Sequence, residues 1–138
     1  MTLITPPDVE HWLTGYLRPL LSDVPDLEIG NKHPPEYDGS HPTIIINDVP
    51  GNRQDHISFD WSIGVTVTGW SRQDDKPCKE LANRVFAILT QHPQLALANG
   101  SPISAVVDEG STPPAVVTSD ADVASYYATV EYVVQGEF

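Results

Sequence analysis

His56, Ser58 and Asp60 stand at alternate positions and supply the ingredients of a nucleophilic triad. On an extended strand they share one face about 7 Å apart at each step, with serine in the middle. A triad needs histidine between nucleophile and acid at hydrogen-bond contact, so this spacing reads as the wet side of a sheet. The five histidines, His11, His33, His41, His56 and His92, are dispersed over turns, strand starts and helix ends. None has an i, i+4 partner or a cysteine cluster beside it, which leaves zinc without a ligand set. Asp120 and Asp122 open like a calcium loop, but the glycine and distal glutamate are missing. Cys78 falls on the apolar stripe of a predicted helix, the place of a small core residue. The stretch "DEGSTPP" has neither the spacing nor the lysine of a phosphate-binding loop. The expectation is a protein that is not an enzyme and takes no cofactor or metal.

The composition narrows the class further. At 138 residues the chain predicts one domain, 1–138, large enough to bury a core without staples. Seven Lys and Arg against 19 Asp and Glu give a formal charge of -12, which repels a phosphate backbone. The single cysteine predicts folding without disulfides, as in a cytoplasm. No signal-peptide run and no stretch of about 18 apolar residues predicts a membrane segment.

These residues must be positioned by a few elements. "TPPDVEHWLTGYLRPLL" predicts a helix with Thr5 as N-cap, prolines in its first turn and Pro19 ending or kinking it near Arg18. Val9, Trp12, Leu13, Tyr16, Leu17, Leu20 and Leu21 form its apolar stripe. "DLEIGN" at 26–31 and "TIIIND" at 43–48 predict strands, and "VPGNRQD" a turn. "HISFDWSIGVTVTGW" at 56–70 alternates, with Ile57, Phe59, Trp61, Ile63, Val65 and Val67 on the dry side. Fully extended, those residues would span about 50 Å, against about 37 Å for the diameter of a compact body of this size. The strand therefore bends, with Gly64 as the natural bulge, or projects as a hairpin arm with "VPGNRQD" at its tip.

A second helix follows over "SRQDDKPCKELANRVFAILTQHP", capped by Asp74 or Asp75, with Glu80 and Arg84 as an i, i+4 pair and a stop near His92 and Pro93. Strands at 103–109 and 124–136 close the chain, joined by the loop "GSTPPAVVTSDAD". The predicted class is α+β: a mostly antiparallel sheet, two amphipathic helices on one face and a long projecting β-hairpin.

The amphipathic opening helix, the strand "VTVTGWSRQDD", the helix "CKELANRVFAIL" close behind it and the final strand "YYATVEYVVQG" together resemble the tail terminator proteins of long non-contractile-tailed bacteriophages, particularly those of actinobacterial hosts. The resemblance covers element order over nearly the whole chain. It implies a ring, usually of six copies, that caps the tail tube, ends its polymerisation and meets the neck of the capsid. Tail tube protein and a neck or head-completion protein would be its partners, and the tail–neck junction of the virion its place, after assembly in the host cytoplasm. DNA would pass through the hole without specific binding, and acids on the lumen would suit that passage. The family has no catalytic residues to carry over. By position alone, subunit contacts are expected at the hairpin tip, Gly51, Asn52 and Arg53, at Trp70 and Arg72, and at the chain end, Gln135 and Phe138. Two other readings stand beside this one: a different head–tail joining protein, and a monomeric module that binds a peptide by strand addition.

Overall fold

A computed structural model describes residues 7–31, 41–53, 58–117 and 123–136. The elements in chain order are α1 (Val9–Leu20), β1 (Glu28–Gly30), β2 (Thr43–Arg53), β3 (Ser58–Gly69), α2 (Lys76–Leu89), α3 (His92–Leu97), β4 (Ile103–Val116) and β5 (Ala124–Gln135). Among the described residues the strands form one five-stranded sheet, in the order β1-β2-β3-β5-β4. β1 pairs with β2 in parallel, and every other neighbouring pair is antiparallel. The fold is α+β with a mostly antiparallel sheet, as the alternating strands and two amphipathic stripes require.

One face of the sheet is dry. Ile44 and Ile46 of β2, Trp61, Ile63, Val65 and Val67 of β3, and Tyr126, Val130, Tyr132 and Val134 of β5 are buried in one core. Above them lie Val9, Leu13 and Leu17 of α1 and Cys78, Leu81, Ala82, Val85 and Leu89 of α2. Neither helix could hide such a stripe alone; each does so by lying on the sheet. Tyr132 ties the layers together, its buried hydroxyl donating to Leu89 O at the end of α2 at 2.6 Å.

Several local expectations are corrected. The N-cap of α1 is Asp8, whose carboxylate accepts from His11 N at 3.0 Å; Thr5 lies outside the described residues. Pro19 does not end α1, which runs to Leu20. In the last turn its missing N–H removes a single helical bond. β1 is only the three residues Glu28–Gly30. Much of the predicted turn is strand, because β2 continues to Arg53 with a register shift after Pro50. Pro50 is tolerated there because β1 pairs no further along β2 than Ile45, so among the described residues no strand on that side needs its N–H.

Gly64 is not a bulge. It pairs regularly with Asn47 and Thr129, and a Cβ on it would come within 2.6 Å of the Tyr127 hydroxyl. The glycine makes room for the Tyr127 ring to lie across the sheet. β3 is twelve residues long, about 40 Å, close to the diameter expected of the body. β5 accompanies it from Ser58↔Gln135 to Gly69↔Ala124, so the described part of the hairpin is a full member of the sheet on that flank. The tip at 54–57 lies outside the described residues.

At the second helix Arg84 does not pair with Glu80. It grips the Asp23 carboxylate with both guanidinium nitrogens, at 2.8 and 3.0 Å, and donates to Leu20 O at 3.0 Å. Lys76 is the residue near Glu80, at 3.9 Å. The bidentate geometry favours Asp23. A short helix, α3, follows where a stop was expected and buries Leu95 fully. β4 runs on to Val116 through what reads as loop, with irregular register against β5. Pro113 and Pro114 fall where the register against β5 shifts, between Thr112 and Ala115, on the last strand of the sheet, so neither is held to a ladder hydrogen bond.

Candidate assembly surfaces

The sequence-predicted contacts fall at two opposite ends of the sheet. Arg53 pairs with Phe59 and Ser58 with Gln135, so the backbone of 51–53 and exposed Gln135 meet where β3 begins. Gln135 N is held by Pro102 O at 2.9 Å. Trp70 and Arg72 lie beyond Gly69, at the other end of β3. The two groups are therefore separated by the length of β3, about 40 Å. Phe138 lies outside the described residues.

Trp70 has a left-handed backbone, φ 59°, which is strained for so bulky a residue. Its half-buried ring packs against the core and lines a shallow groove of about 300 Å³ with Val24, Pro25, Pro77 and Leu81. Packing explains part of its presence, and the groove leaves one side of it uncovered. Arg72 is exposed in the same connection.

The chemistry-bearing residues do not converge among the described residues. His33, His56, Asp120 and Asp122 lie outside them. His41 stands 3.2 Å from Glu28 and links the paired starts of β1 and β2. Among the described residues no three His, Cys, Asp or Glu side chains are grouped to hold a metal. Cys78 is fully buried, with Sγ 3.4 Å from Val67 O and 3.6 Å from Ala124 O. Burial, with a smaller effect of Asp75, pushes its thiol up to about 12, so it is not a thiolate nucleophile at neutral pH.

One polar constellation escaped the sequence reading. Asp48 sits at the flank of β2, its N–H donating to Glu10 Oε2 at 3.1 Å and its Oδ1 accepting from Trp61 Nε1 at 3.0 Å. Burial pushes its carboxyl up against the Trp61 hydrogen bond, and the negative Glu10 and Asp8 add to the rise. Only the placement of α1 over β2 joins Glu10 to a residue so distant in sequence. Asp48→Asn keeps an acceptor for Trp61 and removes a partly desolvated charge. A carboxyl whose folded pKa is raised lowers stability at neutral pH, and that penalty fades as pH falls through the raised value. The variant is therefore expected to melt higher than the parent at pH 7 and to lose that advantage below about pH 3.9. Thermal scans at both pH values check it.

The second sheet face carries Ile45, Asn47 and Val49 of β2, Thr66, Gly64 and Ser62 of β3, and Tyr127, Thr129 and Glu131 of β5, in three facing rows, with Ile45 buried and Asn47, Val49 and Tyr127 exposed. In its row of Val49, Ser62 and Glu131, Val49 is 50% exposed and the Glu131 side chain lies against Gly110 of β4. Four of the seven Lys and Arg, namely Arg72, Lys76, Lys79 and Arg84, are concentrated on α2 and its approach. No helix among the described residues is long and apolar enough to cross a membrane. No protein-family model and no curated protein matches the chain.

Proposed function

We propose that this chain is a structural virion subunit of the tail-terminator type, forming a ring that caps a phage tail tube and joins it to the neck. The observation that carries the reading is the pair of unlike flanks at the two ends of one sheet. Among the described residues β2 has no strand beside it beyond Ile45, and β4 is the last strand at the far end. A ring closes by joining two different surfaces of one subunit, repeated by rotation. The expected contacts at 51–53 and Gln135, and at Trp70 and Arg72, occupy the two strand ends instead. Ends so placed suit stacking, one towards the tube and the other towards the neck. The formal charge of -12 suits a channel that DNA traverses without being held.

The test is light scattering and negative-stain microscopy of the purified chain, with complementation of tail-length control. Six copies of 15.1 kDa give about 91 kDa, the mass expected of the ring. A strict monomer at high concentration that also fails to restore tail length would overturn the reading. Arg53→Glu is expected to leave the subunit folded and to impair ring formation or tail attachment. Unchanged assembled mass with normal attachment would remove Arg53 from the interface.

A further inference from the structure

We infer that β4 of one copy of this chain pairs with the outer flank of β1 of the next, Val116 beside Ile29, so that the sheets of neighbouring subunits join edge to edge. The inference rests on the ring reading and names its lateral contact. Among the described residues β1 and β4 are the two edge strands of the sheet. β1 runs with β2, β2 opposes β3, β3 opposes β5 and β5 opposes β4, so β1 and β4 run in opposite senses. A rotation axis along the strands preserves sense and level, and a neighbour's β4 arrives antiparallel to β1.

Level fixes the partners. Ile29 pairs with Ile44, Ile44 with Val67, Val67 with Tyr126 and Tyr126 with Val116, so the two edges stand at one height at Ile29 and Val116. The next row sets Gly30 level with Ala115 in the same way. Hydrogen-bond phase agrees. Glu28 N donates to Pro42 O at 3.0 Å, so by alternation Ile29 turns its N–H and C=O away from β2. Val117 N donates to Ser125 O at 2.9 Å, so Val116 turns its own N–H and C=O away from β5. Arg18 Nη2 reaches Ile29 O at 3.3 Å, which leaves that carbonyl a second lone pair.

The side chains match as well. Ile44, Val67 and Tyr126 belong to the buried cluster, so Ile29 and Val116 in the same row both point to the helix side. Leu27 and Ile29, partly buried against the core, line a groove of about 340 Å³ along β1 with Arg18. Val116 is 66% exposed, and seated on that groove it loses its contact with water. On the other face a Cβ at Gly30 would meet nothing within 4 Å, and Ala115 is exposed. The incoming segment 112–117, "TPPAVV", carries no charge.

Further along the seam like charges face each other. Asp108 and Glu109 follow Val107, which is level with Val49 and therefore close to the level of Asp48. Seated on β1, the incoming strand stands two strand spacings from β2, about 10 Å, which is about one Debye length in 0.1 M salt. The repulsion is felt in dilute buffer and largely screened at physiological salt.

The test is oxidative cross-linking of the full chain carrying Gly30→Cys and Ala115→Cys. Next to a hydrogen-bonded pair, these positions form a close pair with Cα atoms about 4.5 Å apart, within reach of a disulfide. Inside one subunit they lie four strand spacings apart, about 19 Å, too far to link. The native Cys78 is fully buried and does not compete. The double variant is expected to give a ladder of disulfide-linked multimers, whereas each single variant stops at dimers at most. Rings seen by microscopy without a ladder would overturn this contact and leave the ring reading standing. Absence of any species above monomer mass would overturn both. An equal ladder from Gly30→Cys with Leu97→Cys, an exposed position outside the seam, would mark chance collision and overturn the contact. In the otherwise native chain, Val116→Asp is expected to weaken association about tenfold, since it places a charge on an apolar groove. Unchanged association would overturn the seating of Val116. Association is expected to strengthen as salt rises from about 0.01 M to about 0.15 M, and weakening over that range would put ion pairs in the seam and overturn it.

Discussion

Leu13→Ala is expected to destabilise the fold by about 2–5 kcal/mol and to lower the melting temperature by roughly 5–15 °C. Leu13 is fully buried where α1 lies on the sheet. Truncation removes the apolar surface that holds α1 down and leaves a cavity between two layers that cannot close freely. Leu97→Ala is the matched control, because Leu97 is 83% exposed and its loss should stay within about 0.5 kcal/mol. Urea titrations of the two variants decide it. Equal midpoints would mean that α1 is not held by this stripe, and would also unseat Glu10 from the β2 flank.

Stability is expected to fall steeply above about pH 9, from two buried groups that keep their protons in the fold. Burial pushes the Cys78 thiol up to about 12. Burial also raises the Tyr132 hydroxyl well above the usual phenol range, with Tyr16 adding to it. The sign follows from the unfolded chain, which releases a thiol proton near pH 8.5 and a phenol proton near pH 10. Above those values the unfolded state binds fewer protons than the native one, so each group removes about 1.4 kcal/mol of stability per pH unit. Cys78 acts first, between about pH 9 and its raised value, and Tyr132 joins above about pH 10. Urea midpoints measured from pH 7 to pH 11 should decline with this curvature. Cys78→Ala should flatten the first part of the decline and leave the second. A flat profile to pH 11 would show that neither proton is retained.

Periodicity made the core legible because the helical and strand repeats each mark one side to be hidden. The stripe of α1 and the alternation of β3 reappear as one buried cluster. Element ends were less legible. Prolines and glycines in "VPGNRQD" and "GSTPP" read as breaks, since a strand between two neighbours needs every N–H. Among the described residues β2 and β4 have flanks without a strand beside them, so Pro50 removes a donor that no strand there uses, and Pro113 and Pro114 fall where the register of β4 against β5 shifts. Whether a strand is flanked is not written in its own residues.

The same limit applies to the polar contacts. Cys78 was readable as a core residue from the stripe it occupies, and it is fully buried. Arg84 offered a local partner in Glu80 but turns to Asp23 in the connection after α1, a choice that arises only once α1 and α2 lie side by side. Asp48, Glu10 and Trp61 come from three elements and meet only through the packing of α1 on β2.

Local spacing therefore determined what this chain buries: two helical stripes and the dry side of its long strands, since burial answers to a repeat within each segment. What it leaves open was decided by the tertiary structure. Strand order sets which flank has a neighbour, and that order depends on contacts between segments far apart in sequence.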